Sequence, residues 1–390
     1  MYRNTFVEID NNKLKNNVKE IIKKYHKYKY YIGVVKANAY GHGNYIVNDL
    51  IASGINYLAV SSLEEAISIR KYNKEIPILC LEPINIKYLK EVILNNVTIT
   101  ITSINYVKEL IGKENLDKLK VHLKLDTGMN RLGIKSKEEV TEIVTLLNDN
   151  NIYIEGIYTH FATSGVNDTY YEKQLNNFQY LTSDIDLNKI EIIHLDRSIT
   201  LVHHDKIPFA TGVRLGIIMY GFNQSIKPPT GIRKVKRDIL NRINKVKPSI
   251  LENDLKLNTA FTLYTKVMEI KKVNKGERIG YGSSFIAKKN MVVAVLPIGY
   301  VDKNLPFVKY VYINNKKYPV VGEICMDMVM IEIDTTIKVG DKVELFGDHI
   351  KIKDVSRDLN TSAYHILTSV GVRVPRVYKD GVEINYGNSL

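Results

Sequence analysis

The chain has only two cysteines, Cys80 and Cys325, among its 390 residues. Two thiols cannot build the disulfide framework of a small secreted protein or a dedicated cysteine metal cluster. Both lie in apolar stretches, so we expect each to behave as a small buried hydrophobic residue. The sequence therefore predicts neither a disulfide scaffold nor a metal site.

Long hydrophobic runs are also missing. No apolar stretch approaches the ~20 residues that a membrane-spanning helix needs. The first ten residues, MYRNTFVEID, lack the apolar core of a secretion signal. We therefore expect a cytoplasmic protein with no membrane partner.

Acidic residues are outnumbered by basic ones, 42 to 55, which gives a formal net charge of +13. A positive surface can attract nucleic acid or an anionic membrane. Here the lysines are dispersed and mixed with Glu and Asn, and only residues 231–237, GIRKVKR, form a compact basic block. We interpret most of the charge as solvated surface that favours a phosphate-bearing cofactor. We predict no nucleic-acid partner, an alternative that rests on net charge alone.

A pattern of short apolar segment, polar turn and helix repeats through the first half of the chain. The predicted strands are 31–35, 57–60, 76–81, 97–101, 121–125, 152–158, 190–194 and 213–219. Several are apolar on both faces, as in a parallel sheet covered by helices. Eight such units fit a closed barrel better than an open doubly wound sheet. We therefore predict an α/β fold with a TIM-type (β/α)8 barrel over residues 1–245, in which functional residues lie where strands end.

The character of the sequence changes after about residue 231. A basic segment at 233–244 is predicted to be helical, and short alternating strands follow residue 257. We place these strands at 260–270, 292–297, 308–313, 329–333 and 342–345. They predict a second, mostly β domain over residues 246–390, to which residues 1–10 can contribute a strand.

One lysine stands at the end of a predicted buried strand. Lys36 follows the apolar run 31–35 and opens the sequence KANAYGHG at residues 36–43. A lysine in such a place is costly unless it has a task. Its amine can form a Schiff base with a carbonyl substrate or with pyridoxal phosphate. On the pattern alone, a surface lysine where a strand meets its loop remains the alternative.

The octet KANAYGHG resembles the cofactor-lysine motif of the alanine racemases. The resemblance implies that Lys36 carries pyridoxal 5'-phosphate and that Tyr40 touches its phosphate. Further segments of the predicted barrel match the same family: KLDTGMNRLG at 124–133, YTHFAT at 158–163, HLDRS at 194–198 and VRLGIIMYG at 213–221.

In the family, these segments supply the groups around the cofactor. The resemblance implies that Arg131 hydrogen-bonds the phenolic oxygen of the cofactor and binds the substrate carboxylate, which suits a planar and permanently charged guanidinium. It places His160 beside the cofactor ring. It also implies that Ser198 and the backbone amides of Gly216 and Ile217 bind the phosphate.

Two further barrel residues carry implied roles. Arg214 matches the arginine that faces the pyridine nitrogen, where a permanent cation keeps that nitrogen unprotonated and makes the cofactor a weaker electron sink. Side reactions such as transamination are then limited. The lysine at position 124 is often carbamylated in relatives, and a carbamylated Lys124 would be an anion that orients Arg131.

The predicted β domain matches the family in RIGYGSS at 278–284, IGYVD at 298–302 and ICMDM at 324–328. These segments imply that Tyr281 is the second acid–base residue, that Tyr300 lines the substrate entrance and that the Met326 backbone contacts the substrate carboxylate. Racemisation requires two bases on opposite faces of one carbon centre, and Lys36 and Tyr281 would be this pair. In the family, the β domain of one chain completes the site of its partner, which implies a two-fold homodimer with shared active sites.

Three positions depart from the family pattern. Relatives usually have Asn where this chain has Arg197, Arg where it has Glu323, and Tyr, near the phosphate and substrate, where it has Val372. Loss of that Tyr ring and hydroxyl should enlarge the pocket. Tyr364 is a candidate to occupy the same space.

The resemblance runs from about residue 6 to residue 377. It implies a pyridoxal-phosphate-dependent amino-acid racemase, foremost one that interconverts L- and D-alanine and supplies D-alanine for peptidoglycan. The departures keep open a racemase of serine or another amino acid on the same scaffold. A same-fold decarboxylase and a non-catalytic pyridoxal-phosphate carrier are further alternatives; Arg214 argues against the first, and a second domain bearing Tyr281 argues against the second.

Overall fold

The structure is a computed structural model that describes residues 2–166, 169–224, 254–303 and 308–384, with five single positions between 231 and 243. The chain divides into two compact units. The barrel unit comprises Lys15–Ala37 and Val47–Leu257, and the β unit comprises Met1–Leu14, Asn38–Ile46 and Asn258–Leu390. The chain therefore enters the β unit three times.

Eight parallel strands close into a barrel in the order of the sequence. They are β2 (Tyr30–Val34), β3 (Tyr57–Val60), β4 (Ile78–Cys80), β5 (Val97–Ile101), β6 (Lys120–Lys124), β7 (Tyr153–Tyr158), β8 (Ile192–Arg197) and β9 (Gly212–Leu215). Pairing of β2 with β9 closes the ring. The predicted TIM-type barrel is confirmed, and every predicted strand is present, with shifts of a few residues at some ends.

Helices follow or precede these strands around the barrel. The described helices up to β9 are α1 (Asn11–Lys24), α2 (Lys36–Tyr40), α3 (Val47–Ala52), α4 (Leu63–Arg70), α5 (Leu89–Leu94), α6 (Ile104–Leu110), α7 (Lys137–Asp149), α8 (Tyr170–Leu181) and α9 (Ser198–His203). In α7, Ser136 caps the first turn, and Val140, Ile143 and Leu147 are buried at helical spacing. None of the described helices has the length and apolar character that a membrane crossing requires.

The start of α4 differs from the capping box that its sequence, S-L-E-E, predicts. Ser62 accepts a hydrogen bond from the Glu65 N–H, as expected. The Glu65 carboxylate, however, accepts hydrogen bonds from the N–H groups of Ser61 and Ala37 at 2.8 and 2.7 Å. Because it binds these two N–H groups, Glu65 ties α4 to the residue that follows Lys36.

The β unit contains a ten-stranded sheet of the order β11-β14-β17-β16-β15-β18-β10-β1-β19-β20 among the described residues. Its strands are β1 (Phe6–Ile9), β10 (Phe261–Lys266), β11 (Glu269–Val273), β14 (Met291–Leu296), β15 (Tyr310–Ile313), β16 (Lys316–Val321), β17 (Val329–Ile333), β18 (Lys342–Phe346), β19 (Arg376–Tyr378) and β20 (Glu383–Ile384). A separate hairpin joins β12 (Arg278–Ile279) and β13 (Phe285–Ile286), and two helices follow β18, α10 (Ile352–Asp358) and α11 (Ala363–Thr368). The prediction of a mostly β second domain is confirmed.

Several details of the β unit differ from the sequence expectation. The strand expected at 260–270 is two strands, because β10 pairs with β1 and β18 whereas β11 pairs with β14. The pattern did not identify β16, in which lysines and Pro319 dilute the strand signal. Cys80 is buried as expected, but Cys325 is only partly buried. Most of the helix predicted at 233–244 lies outside the described residues.

Candidate active site

The predicted barrel residues follow the carboxyl ends of several different strands, where enzymes of this fold hold their chemistry. Lys36 follows β2, Lys124 ends β6, Arg131 lies in the next loop, His160 follows β7, Ser198 follows β8, Arg214 lies in β9, and Gly216 and Ile217 follow it. Lys36 is partly buried, and its strand β2 pairs directly with β9. One end of the barrel therefore carries all eight.

Arg214 is the most constrained of these side chains, at 3% exposure. One terminal nitrogen donates to His194 Nδ1 and to the His194 carbonyl, each at 2.6 Å. The other donates to the carbonyl oxygens of Thr159 at 2.7 Å and Leu195 at 2.9 Å. The described contacts include no hydrogen bond from the Nε–H. Burial lowers the pKa of Arg214 to about 10, so the group remains a cation near neutral pH.

Lys124 lies close to two of these cations. Its side chain is buried, its amine donates to the Leu125 carbonyl at 3.3 Å, and the amine lies 4.9 Å from the centroid of the Tyr158 ring. Burial, together with the positive charges of Arg214 and Arg131, holds the pKa of Lys124 well below its usual range. The protonated form of this amine is therefore disfavoured relative to that of an exposed lysine.

His160 is neutral for the same physical reason. Burial and the cations around it, Arg214 first and Arg197 next, hold its pKa well below the usual range. Arg197, one of the departures from the family pattern, donates to the carbonyl oxygens of Phe161 at 3.2 Å and Thr163 at 3.4 Å. It thereby ties the loop after β7 to the end of β8.

Ser198, Gly216 and Ile217 lie together where β8 and β9 end. The buried Ser198 hydroxyl accepts a hydrogen bond from the Gly216 N–H at 3.0 Å. Ile217 is also buried and follows directly in the chain. A hydroxyl and consecutive backbone amides form a set of groups that suits an oxyanion.

The chain after Lys36 has an unusual backbone. The four residues of 37–40 all have φ between 50° and 53°, so α2 is left-handed. Such a backbone costs roughly 1–2 kcal/mol per residue for L-amino acids. Gly43 N–H donates to the Asn38 carbonyl at 2.9 Å and stabilises the turn. A Cβ on Gly41 would lie 2.5 Å from the Leu367 carbonyl oxygen, so only glycine fits there.

Tyr40, the last residue of this turn, belongs to the β unit. Its side chain is buried, and its ring centroid lies 5.8 Å from that of Tyr364. Burial raises the pKa of Tyr40, so its hydroxyl stays protonated and can donate a hydrogen bond. The contact places Tyr364 beside the residue expected to touch the phosphate.

The three matched segments of the β unit lie against each other. Tyr300 N–H donates to the Cys325 carbonyl at 3.1 Å, and a Cβ on Gly299 would lie 2.2 Å from the Met326 carbonyl oxygen. A Cβ on Gly280, the residue before Tyr281, would lie 3.0 Å from the Glu323 backbone nitrogen. This close backbone packing fixes the backbone positions from which the Tyr281, Tyr300 and Met326 side chains project.

Those side chains form an exposed surface in the single chain. Tyr281 is 72% exposed, Tyr300 51% and Met326 54%. Val372, also in the β unit, is 49% exposed. A cluster of large, exposed, mostly apolar side chains is typical of a surface that contacts a protein or a ligand.

Sequence reasoning missed a polar row inside the barrel. His122 in β6 and Glu155 in β7 are buried and connected by a hydrogen bond. His194, to which the sequence pattern assigned no role of its own, connects His122 to Arg214. The available signal was an ionisable residue in the middle of an otherwise apolar strand, as in KVHLK and YIEGIY. Such residues are rarely buried without partners.

Two family models match the chain. The model described as "Alanine racemase, N-terminal domain" matches residues 9–224, and the model described as "Alanine racemase, C-terminal domain" matches residues 260–378. Among curated proteins, alanine racemase 1 of Bacillus subtilis is 32% identical over 392 residues, which cover 98% of this chain and 95% of that protein.

Solved structures give the same result. The alanine racemase of Bacillus anthracis with bound L-Ala-P has a TM-score of 0.86 and 30% identity, and the match covers 100% of each chain. A histidine racemase from Leuconostoc mesenteroides subsp. sake has a TM-score of 0.82 and 26% identity, covering 97% of this chain and 98% of that one. The scaffold therefore occurs with more than one named amino acid.

The lowered pKa of His160 predicts a pH-dependent stability. Below about pH 6.5 the unfolded chain binds a proton at this ring that the folded chain does not. The free energy of unfolding should therefore fall by about 1.4 kcal/mol per pH unit below that value for this histidine and stay level above it. Urea unfolding at about pH 7.5, 6.5 and 5.5 measures this slope.

His160→Gln should remove the contribution of this histidine to the fall in the free energy of unfolding below about pH 6.5. His26→Gln, at an exposed histidine of the same unit, should keep the wild-type slope. Equal slopes for wild type and His160→Gln would contradict a neutral folded-state ring.

Proposed function

This chain belongs to the alanine racemase family, and we propose that it is a pyridoxal-phosphate-dependent isomerase that interconverts L-alanine and D-alanine. The observation that carries the proposal is the buried Arg214, whose terminal nitrogens are fully engaged and whose Nε–H is left for a ligand acceptor. A donor fixed in this way suits an unprotonated ring nitrogen.

The residues of the barrel end fit pyridoxal phosphate. The Ser198 hydroxyl and the Gly216 and Ile217 backbone suit a phosphate, and the family resemblance implies that the Tyr40 hydroxyl is a further donor for it. Arg131 suits a phenolic oxygen and a substrate carboxylate, because its guanidinium stays charged. When bound, the cofactor withdraws electrons from the substrate α-carbon and so acidifies its α-proton.

Lys36 and Tyr281 are the proposed acid–base pair. Lys36 would hold the cofactor until the substrate amine takes its place, and the released Lys36 amine would then remove or return a proton on one face of the α-carbon. The Tyr281 hydroxyl does the same on the opposite face, and inversion requires both faces. Arg214 would keep the ring nitrogen of the cofactor unprotonated, which would make the cofactor a weaker electron sink and limit competing reactions.

We propose that the active enzyme is a homodimer in which Tyr281, Tyr300 and Met326 of one chain complete the site of the other. The high exposure of these three side chains in the single chain supports this arrangement. A two-fold dimer would contain two such shared sites. We also propose a cytoplasmic enzyme that supplies D-alanine for peptidoglycan, as the family resemblance implies, with no nucleic-acid or membrane partner.

We further propose that Lys124 is carbamylated. A carbamate forms from a neutral amine and carbon dioxide, and burial and neighbouring cations favour the neutral amine at this position. The carbamate would place an anion beside Arg214 and Arg131, whose positive charges disfavour a protonated amine there. It would thereby orient the Arg131 guanidinium toward the site.

A second candidate function is racemisation of a different amino acid. The histidine racemase of the same fold, at 26% identity, favours it. So do Val372 and Glu323, where relatives usually carry Tyr and Arg. The contact of Tyr364 with Tyr40 supports the idea that Tyr364 takes part of the space left by Val372.

A substrate panel tests the main proposal. The purified protein should show the visible absorbance of bound pyridoxal phosphate and convert L-alanine to the racemate with a higher kcat/KM than L-serine or L-histidine. Lys36→Ala should lose both absorbance and racemisation, whereas Lys74→Ala, at an exposed lysine of the same unit, should keep both. Normal turnover by Lys36→Ala would exclude the mechanism, and preference for another substrate would select the second candidate.

Mixing two inactive variants tests the shared site. Lys36→Ala lacks the amine and Tyr281→Phe lacks only the hydroxyl, so each homodimer should be nearly inactive. A mixed dimer should contain one complete site, made of Lys36 from one subunit and Tyr281 from the other. After random subunit exchange, activity should return to roughly a quarter of the wild-type value. No recovery would show that both residues act within one subunit.

Labelled bicarbonate tests the modification of Lys124. A carbamate signal should appear in the carbon-13 spectrum of the wild-type protein and be absent from Lys124→Ala, which should also have a raised KM because Arg131 is less well oriented. Lys303 provides a matched control, since burial lowers its pKa to about 8 as well. Lys303→Met should keep the signal, and a signal that survives in Lys124→Ala would contradict the assignment.

A further inference from the structure

A row of hydrogen bonds runs through the barrel interior from Arg214. The guanidinium donates to His194 Nδ1 at 2.6 Å. The Nε2 atom of His194 lies 2.9 Å from His122 Nδ1, and His122 Nε2 lies 3.1 Å from a carboxylate oxygen of Glu155. All four residues are at most 5% exposed, so bulk water does not compete for these bonds.

The two ends of the row determine where its protons lie. A guanidinium can only donate hydrogen bonds, and an ionised carboxylate can only accept them. His194 Nδ1 must therefore be unprotonated, and the His194 proton lies on Nε2 and points to an unprotonated His122 Nδ1. The His122 proton is then on Nε2 and points to Glu155. Both rings are neutral in this arrangement, and burial, the largest influence on each, lowers the pKa of both.

The Glu155 carboxylate, at the end of the row opposite Arg214, is ionised and accepts hydrogen bonds. The hydroxyl groups of Tyr57 and Thr98 donate to the same carboxylate oxygen at 2.5 and 3.0 Å, and the Lys120 amine lies 3.6 Å from the other oxygen. Burial raises the pKa of Glu155, but hydrogen bonds from His122, Tyr57 and Thr98 outweigh it and lower the pKa to about 2. The carboxylate is thus ionised throughout the working pH range.

The ring planes are fixed by packing. A Cβ on Gly156 would lie 2.6 Å from the His122 ring, so glycine is required beside it. The Tyr158 ring stacks on His194 with centroids 4.6 Å apart and an interplanar angle of 12°. Lys124 is the other titratable group that acts on His194. Because the ring planes are held, the two histidines can differ only in which ring nitrogen carries the proton.

We propose that Glu155 is a positioning residue which, through His122, fixes the Nε2-protonated tautomer of His194 and thereby holds the Arg214 guanidinium in the orientation that leaves its Nε–H to the ligand. If Glu155 no longer fixed the tautomers, a proton on His194 Nδ1 would face the Arg214 N–H, and the two donors would repel. The expected effect on racemisation rests on the proposed function, whereas the expected tautomers of His122 and His194 are independent of it.

Nitrogen-15 spectra of the histidine side chains test the proposal directly on the full protein. His122 and His194 should both be neutral and protonated at Nε2, with no change between about pH 6 and pH 9. A through-bond coupling across the N–H···N bond identifies the pair. Either ring found protonated at Nδ1, or charged in this range, would overturn the proposal without any variant being needed.

Glu155→Gln is the informative substitution, because a glutamine amide can present either an acceptor oxygen or a donor nitrogen to His122 Nε2. We expect mixed tautomers on both rings and a kcat/KM for racemisation lower by roughly tenfold to a hundredfold, the usual range for outer partners of site residues. Unchanged nitrogen shifts and unchanged kcat/KM would contradict the proposal.

Glu191→Gln is the matched control. Glu191 also accepts hydrogen bonds from two tyrosine hydroxyls, those of Tyr30 and Tyr153, but has no hydrogen bond to either histidine of the row among the described contacts. It should leave the shifts and kcat/KM at wild-type values. If the protein shows the expected tautomers but no racemisation, the role of Glu155 stands and the proposed function is rejected. If the enzyme racemises but its histidine tautomers are the same with and without the Glu155 carboxylate, the proposed function stands and the role of Glu155 is rejected.

Discussion

The barrel site depends on a cation that is held away from water, the Arg214 guanidinium. Burial of a charge is costly unless its hydrogen bonds are satisfied. Here three backbone carbonyl oxygens and one imidazole nitrogen accept the four terminal N–H groups, and they belong to Thr159 after β7 and to His194 and Leu195 in β8. A side chain of β9 is thus bound to β8 and to the residue after β7, and it cannot turn without breaking several bonds at once.

Permanent cations also decide the charge state of their neighbours. Arginine keeps its proton under conditions in which lysine and histidine lose theirs. Because Arg214 and Arg131 remain charged, the adjacent Lys124 and His160 are driven toward their neutral forms, and burial acts in the same direction. The barrel end therefore combines fixed positive charge for anionic groups with neutral bases, and this combination follows from which residue type stands at each position.

Sequence patterns were sufficient for the architecture but not for the interior of the site. The barrel strands could be predicted because each is a short apolar run buried on both sides, as in β3 and β5. The candidate residues could be named only through resemblance to a family, since a lone lysine or arginine after a strand has many ordinary explanations. The row from Arg214 to Glu155 could not be predicted, because residues of four strands meet only after the barrel closes.

Local propensity also failed at two places near Lys36. Four consecutive left-handed residues in 37–40 contradict the preference of L-amino acids, and contacts from elsewhere in the chain, such as those of Glu65 and Tyr364, help to hold them. The Glu65 side chain follows the same rule: its sequence position predicts a capping box, but two N–H groups brought close by the fold compete successfully for its carboxylate. In both cases tertiary contacts override local preference at the segment that carries the candidate cofactor lysine.

The position of β1 has a consequence for the order of synthesis. This strand contains Phe6–Ile9 and lies between β10 and β19, the latter formed by Arg376–Tyr378. In chain order, β1 precedes the whole barrel, β10 follows it, and β19 comes about 110 residues after β10. The barrel strands can pair with each other before then, whereas one edge of β1 has no partner until β10 exists and the other has none until β19 exists. The β unit therefore cannot be completed at β1 before the growing chain has reached β19.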